Sequence, residues 1–326
     1  MTVKLRMSAI AAAIGLTLFS TASFAQSYPT KPIKLVLPYS PGGVVDFIGR
    51  TLGQHLGEAL GQPVVAENRP GAGGIVGTDV VARAIPDGYT LLLMDPAIVI
   101  NPSLQESVPY DLFKQLDAVS VVSSSPLVLV AAPGLNVKTF DEFVAYGKAN
   151  PGKLNFASAG IGTTPHLAGE MLKQTTGIVA THVPYKGIGA SYTDMMSNKV
   201  QFSFSSIAGA LPFTTDNRVL ALATTGEKRN EVFPDKPTME EAGLKGFNVD
   251  LWLTVFAPTG VPADVKSKLN AAIAKALTSP ELKAGFAKVG ASPRGTTSEE
   301  ANAFIKADYE KWKKVVTEGK IKPAAN

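Results

Sequence analysis

Ile33-Lys34-Leu35-Val36-Leu37, then Pro38-Tyr39-Ser40-Pro41-Gly42-Gly43, then Val44-Val45-Asp46-Phe47-Ile48 reads as a strand, a glycine turn and a helix start. Ile33, Leu35, Val36 and Leu37 favour extended structure, and the prolines and glycines end it. From there Phe47, Ile48, Leu52, Leu56 and Ala59 recur at helical spacing through about Leu60. The same grammar returns at 154–157, followed by Ser158-Ala159-Gly160-Ile161-Gly162-Thr163-Thr164-Pro165-His166. Pro165 suits the first helical position, because proline has no amide hydrogen to leave unpaired there.

Outward from these two stretches, strand-like and helix-like segments alternate. One set continues through 64–66, 74–84 and 90–94; the other holds a helix from Thr139, then 181–183, a helix from Gly189, and 219–223. Such βα alternation predicts parallel sheets with helices on both faces, an α/β fold. Thr139 with Glu142, Thr238 with Glu241 and Thr297 with Glu300 have capping-box spacing at three expected helix starts. The end of the chain reads as helix only, at 262–279, 281–289 and 297–316.

Segments 127–132 and 249–257 are apolar, strand-like and closed by Pro133 and Pro258. They bracket the second set and are expected to cross between two lobes. The expected organisation is a signal peptide at 1–25, a first lobe from 26–126 and 250–326, and a second lobe at 127–249. One large domain holding both strands is the alternative. Length agrees with two units, since 326 residues exceed the roughly 100–200 of one typical domain.

Composition excludes several classes. With no cysteine there is no disulfide framework, thiol nucleophile or Cys-type metal site. The net charge of +4 is small for this length and no basic run exceeds two residues, which argues against a nucleic-acid partner. Lys4 and Arg6 precede a short apolar run at 7–19, and Ser23 and Ala25 are the small residues of a cleavage site. The run is shorter than the ~18–20 residues that span a bilayer. Cleavage after Ala25 is therefore expected, giving an exported, periplasmic chain of net charge +2 that is not membrane-inserted.

The two glycine loops carry the chemistry. In open α/β sheets ligands bind beyond the carboxyl ends of strands. Glycines admit the ligand to the backbone, and helix N-termini present unpaired N–H groups at the positive end of the dipole. Two such loops are expected to hold one anion from both sides. Neither contains Lys or Arg, so a carboxylate fits better than a doubly charged phosphate. Four charge-assisted bonds net roughly 6–12 kcal/mol, against an association cost of roughly 4–15 kcal/mol. Closure around the rest of the ligand must add the difference, with Tyr39, Phe204 and Trp252 as candidate apolar walls.

Other motifs fall short. In Gly71-Ala72-Gly73-Gly74-Ile75-Val76-Gly77, Val76 stands where a dinucleotide fingerprint needs its third glycine. No P-loop and no Gly-x-Ser-x-Gly elbow is present. His55, His166 and His182 lack metal spacing: His55 reads as surface, His182 as structural, and His166 either touches ligand or is solvated. Asp46 reads first as a first-turn charge that suits the dipole, and second as a selector of a ligand amine or hydroxyl.

Taken together, the ordered motifs resemble the Bug-type solute-binding proteins of tripartite tricarboxylate transporters over nearly the whole chain. They are Pro41-Gly42-Gly43 with Asp46 and Arg50, Glu67-Asn68-Arg69-Pro70-Gly71-Ala72-Gly73-Gly74, and Pro86-Asp87-Gly88-Tyr89-Thr90-Leu91. Val183-Pro184-Tyr185-Lys186-Gly187, Pro234-Asp235-Lys236-Pro237-Thr238 with Glu241-Ala242-Gly243, Ala257-Pro258 and Trp312 follow. The resemblance implies a two-lobed periplasmic binding protein fold of type II-like form, with two crossing hinge strands and a ligand cleft between the lobes. It implies capture of a small organic carboxylate for membrane permease subunits, without catalysis or cofactor, by a monomer. It points to Tyr39, Ser40, Gly42, Gly43, Val44, Val45 and Asp46 on one lobe as ligand contacts. On the other it points to Ser158, Ala159, Gly160, Gly162, Thr163, Thr164 and His166, with Tyr185 from its own motif. Two stretches depart from the family pattern: Asp95-Pro96-Ala97, and Ser205-Ser206-Ile207 beside Phe204. Both bear on the distal end of the ligand. A ligand sensor signalling to a membrane kinase and an α/β hydrolase are the competing readings; the latter lacks a recognisable nucleophile–base motif.

Overall fold

The strand–turn–helix unit at 33–60 sets the frame of the computed structural model, which describes residues 28–185 and 187–323. In chain order the elements are β1 (Ile33–Leu37), α1 (Val44–Leu60), β2 (Val64–Asn68), α2 (Ile75–Ala82), β3 (Thr90–Met94), α3 (Ala97–Leu104), α4 (Leu112–Gln115) and β4 (Leu116–Ser124). Then come β5 (Leu127–Ala131), α5 (Phe140–Ala149), β6 (Leu154–Ser158), α6 (Thr164–Thr176), β7 (Ala180–Pro184), α7 (Tyr192–Met196), β8 (Phe202–Ser206), α8 (Ile207–Thr214) and β9 (Leu220–Thr224). β10 (Leu253–Pro258), α9 (Ala263–Ala276), α10 (Pro280–Lys288), β11 (Ser292–Pro293) and α11 (Ser298–Glu318) complete the chain. The expected signal peptide and its cleavage site lie outside the described residues.

Two sheets result, ordered β11-β4-β10-β3-β1-β2 and β7-β6-β8-β5-β9. Neither is purely parallel, as the βα alternation predicted. β10 runs antiparallel between β3 and β4, and β5 antiparallel between β8 and β9. The reason is topological: these are the strands through which the chain enters one sheet and re-enters the other, and they arrive against their neighbours; the two-residue β11 is antiparallel to β4 as well. The crossing points are short. The chain leaves the first sheet at Ser124 and joins the second at Leu127, and an antiparallel bridge pairs Pro126 with Asp250 on the way back.

Registers fix where the strands end. Leu37 of β1 lies beside Asn68 of β2, Met94 of β3 beside Thr254, and Ser123 of β4 beside Leu253. Ser158 of β6 lies beside Pro184 of β7, while Ser206 of β8 and Thr224 of β9 flank the start of β5. The carboxyl ends of β1–β4 and of β6–β9 therefore all face the crossing points. Each glycine loop follows one of these ends, at Leu37 and Ser158, so the topology puts both at the boundary between the lobes. A surface depression of about 580 Å³ lined by Pro133, Asn136, Asn217 and Leu220 lies at the opposite strand ends of the second sheet.

The crossing is held by polar groups. Asp250 is set among backbone and hydroxyl donors, accepting from the Ser125 amide at 2.5 Å and from the Ser124 hydroxyl. Burial pushes its carboxyl up, and those two donors oppose the shift. Thr225 accepts from the Leu127 amide at 2.8 Å and donates to the Val249 carbonyl at 2.5 Å. The C-terminal helix α11 then returns across both units. Trp252 and Trp312, both fully buried, donate their indole N–H groups to one oxygen of Asp308 at 2.9 and 3.0 Å. Gln174 of α6 donates to the Val315 carbonyl of α11 at 3.0 Å.

The local expectations divide. Thr297 and Glu300 form the full reciprocal box at the start of α11. Thr139 caps α5 through the Glu142 amide, but the Glu142 carboxylate takes the amide of Lys138 instead. Thr238 and Glu241 make both bonds of the box at 2.9 and 3.1 Å on a run of turns with no helix after it. Capping bonds are local; without an apolar stripe to bury, they close a turn and nothing propagates. The helix expected from Gly189 is one turn of 3₁₀ and the short α7.

Asp308→Ala should lower the unfolding free energy by about 3–5 kcal/mol, since two buried indole donors lose a charged acceptor. Urea unfolding followed by tryptophan fluorescence checks this; a midpoint unchanged from the native chain would contradict it.

Candidate functional site

α1 and α6 begin at the lobe boundary, and neither N-cap residue, Gly43 or Thr163, makes a side-chain capping bond. Asp111, Thr139, Ser206, Ser279 and Thr297 do cap their helices. In α1 the first intrahelical bond runs from the Phe47 amide to the Gly43 carbonyl at 2.9 Å, leaving the amides of Val44, Val45 and Asp46 ahead of it. In α6 the first runs from Leu167 to Thr163 at 3.0 Å, leaving those of Thr164 and His166. These donors stand at the positive ends of helices of 17 and 13 residues. Ser40, Gly42, Gly43 and Val44 are exposed, and a Cβ built on Gly43 would meet nothing within 4 Å.

The first loop is shaped by Asp46. Its carboxylate accepts from the Gly42 amide at 3.0 Å, Arg50 Nε at 3.0 Å and Asn68 Nδ2 at 2.9 Å. Asn68 also donates to the Tyr39 carbonyl at 3.0 Å. Burial alone would raise the Asp46 pKa, but the Arg50, Gly42 and Asn68 donors bring it down to about 2. The side chain is thus spent on the loop, which corrects its reading as a selector of ligand groups. At the neighbouring strand end, Asp95 accepts from the Tyr39 hydroxyl and the Ala97 amide, both at 2.9 Å and both on Oδ1.

Two stacked imidazoles shape the second loop. His166 and His182 lie 3.9 Å apart between ring centres, with Phe156 4.9 Å from His182. His166 Nδ1 accepts the Gly162 amide at 3.1 Å, so its proton sits on Nε2. Ser158, fully buried, contacts His182 Nε2 at 2.6 Å and bonds both the amide and the carbonyl of Gly160 at 3.0 Å. The Thr163 hydroxyl adds a bond to the Gly160 carbonyl at 2.7 Å. Burial, with the charge of Lys173 and mutual repulsion adding to it, lowers His166 to about 3; burial and Lys173 lower His182 to about 4. Both rings are neutral, and a proton on His166 Nδ1 would set donor against donor at Gly162. The His166 ring is therefore a buried part of the loop, neither solvated nor free for ligand, and only the backbone amide of this residue is left over.

The amides are consequently divided. Those of Gly42, Gly160 and Gly162 serve the loops themselves, against the expectation that glycine amides meet the ligand. Gly160 and Gly162 have φ of +130° and +79°, which few side chains tolerate, and a Cβ on Gly162 would come within 2.3 Å of Leu104 Cδ2. That contact joins the second-lobe loop to the end of α3 in the first lobe. Ala159 and Tyr185 are partly exposed, and the Tyr185 hydroxyl is held by Asp194 at 2.8 Å.

Three expected contacts lie elsewhere. Phe204 is fully buried with its ring 5.8 Å from Phe247, because alternation along β8 turns it into the core. Ser205 points to the opposite face, fully buried and 3.1 Å from the Ser203 hydroxyl. Trp252 belongs to the crossing. His182 is structural, as the sequence suggested; its partners Ser158, His166 and Phe156 appear only once the β6–β7 register is known.

Among the described residues no group of three or more His, Asp or Glu stands ready to hold a metal ion, and no helix is long and apolar enough to cross a membrane. Comparison with known proteins gives a consistent result. The family described as "Tripartite tricarboxylate transporter family receptor" matches residues 48–321. Protein BugT of Bordetella pertussis is 37% identical over 296 residues, covering 90% of this chain and 91% of that one. A Rhodopseudomonas palustris protein solved with adipate shares 30% identity at a TM-score of 0.75, over 91% of this chain and 99% of that one. MatC from the same species, solved with bound malate, shares 30% identity at a TM-score of 0.71, over 89% and 100%.

Acid should destabilise the chain through the histidine pair. Their folded pKa values lie below the ordinary 6.5, so the unfolded chain binds protons first and stability falls from about pH 6.5 toward pH 3. Unfolding free energies at a series of pH values should show this slope, and His166→Gln should flatten it; equal slopes in both proteins would contradict the assignment.

Proposed function

This chain belongs to the tripartite tricarboxylate transporter receptor family, a family of solute receptors rather than enzymes, and from that we propose that it captures a small organic carboxylate between its lobes and delivers it to the membrane subunits of such a transporter. The observation that carries the reading is the pair of uncapped helix starts, one per lobe, at strand ends that face the crossing points. The ligand carboxylate takes amides of Val44, Val45 and Asp46 on one side and of Thr164 and His166 on the other. Ser40, Gly43, Ala159 and Thr163 form the rims. Gly42, Gly160, Gly162, Ser158, Asp46 and His166 hold the two loops in shape. Neighbours solved with adipate and malate support a carboxylate as the ligand class.

We further assign the first lobe to 26–126 with 250–326 and the second to 127–249, on the change of sheet at Ser124–Leu127 and the Pro126–Asp250 bridge. Closure about these points brings the loops onto the ligand and creates the form that the transporter reads. Residues 1–25 act as the export signal and the chain works in the periplasm.

A thermal-shift panel of carboxylates and their methyl esters tests the class: acids should raise the melting temperature and esters should not. Gly43→Val folds normally, having open space at Cβ and an ordinary φ of −84°, yet covers the α1 amides. Its affinity should drop at least about tenfold with its melting temperature unchanged. Equal affinity, or esters that stabilise as well as acids, would overturn the reading.

A further inference from the structure

Asp95 stands at the carboxyl end of β3, beside the first glycine loop and one residue before Pro96 leads into α3. It is deeply set, yet part of its surface stays open to solvent. Its hydrogen bonds are one-sided: the Tyr39 hydroxyl and the Ala97 amide both go to Oδ1. Among the described residues none besides Tyr39 and Ala97 donates to the carboxylate, whose own amide also lies close, and no Lys, Arg or His forms an ion pair with it. The contrast with Asp46 is direct, because there Arg50 supplies the counter-charge. The far end of α3, eight residues on, touches the second-lobe loop through Leu104 and Gly162. Asp95 and the second loop thus flank the same helix of about 12 Å.

Helix capping accounts for Oδ1 only. An unpaired carboxylate in dense surroundings is costly unless it takes up a proton or something brings it a positive charge or a donor. Burial pushes its carboxyl up from the ordinary value, and the Ala97 amide and Tyr39 hydroxyl only partly oppose this.

Resting on the carboxylate reading above, we propose that Asp95 Oδ2 receives a cationic donor of the ligand, so that the substrate class is an amino-substituted carboxylate, its carboxylate at the helix N-termini and its ammonium on Asp95. With Asp95 ionised, a second carboxylate at that position would be repelled.

Calorimetric titration of the mature chain with one six-carbon series tests this: hexanoate, adipate, 6-aminohexanoate and 2-aminohexanoate. One of the two amines should bind at least about tenfold tighter than hexanoate and adipate. Asp95→Asn keeps an oxygen for Tyr39 and Ala97, so it should fold with an unchanged melting temperature and lose that preference. A matching four-carbon series (butyrate, succinate, 4-aminobutyrate, 2-aminobutyrate) removes dependence on length. Adipate or succinate binding tighter than every amine, or a preference that survives Asp95→Asn, would overturn the assignment while leaving the carboxylate function intact. Failure of every acid in both series would overturn both.

Discussion

An α-helix cannot satisfy its own first amides, and in this fold α1 and α6 start beside the crossing points without a side-chain cap. Five other helices answer the same need with a hydroxyl or carboxylate, while α2, α3, α7 and α9 start without one. At Gly43 and Thr163 no such bond forms, and both helix starts lie where the strand ends converge. A helix start with free amides favours an anion, and two of them across a crossing favour one anion held from both sides. The rest of the molecule can be understood as what keeps those two helix starts shaped and facing.

Shape comes from buried groups that never need to touch ligand. On one side a carboxylate ties Gly42, Arg50 and Asn68 together; on the other, two neutral imidazoles hold Gly162 and, through Ser158, Gly160. The solutions differ in charge but share a logic: the amides of Gly42, Gly160 and Gly162 go to fixed internal acceptors. Facing comes from topology. Two antiparallel strands carry the chain between sheets, and Asp308 anchors the returning helix to Trp252 at the crossing.

Much of this was legible in the sequence because it is local. The strand–glycine–helix units, the C-terminal helices and the segments near the crossing announce themselves through periodicity, glycine and proline. By contrast β11, which pairs with β4, breaks the expectation of helix only at the chain's end. What was not legible depends on register. His182 meets His166 only because β6 and β7 pair in parallel, and Phe204 turns inward only because of where β8 lies. β4 was missed because Asp117, Ser120 and Ser123 interrupt its apolar run, and the mixed sheets could not be foreseen from alternation alone. Thr238 with Glu241 shows the converse failure, a correct local bond with no helix behind it.

The central claim is that one ligand carboxylate is held by first-turn amides of both helices. The direct test is an amide nitrogen–proton NMR titration with the acid that stabilises the chain most. The account predicts that the amide signals of Val44, Val45, Thr164 and His166 shift together, saturating at one ligand concentration. Shifts confined to one lobe, or absent from all four amides while binding proceeds, would contradict it.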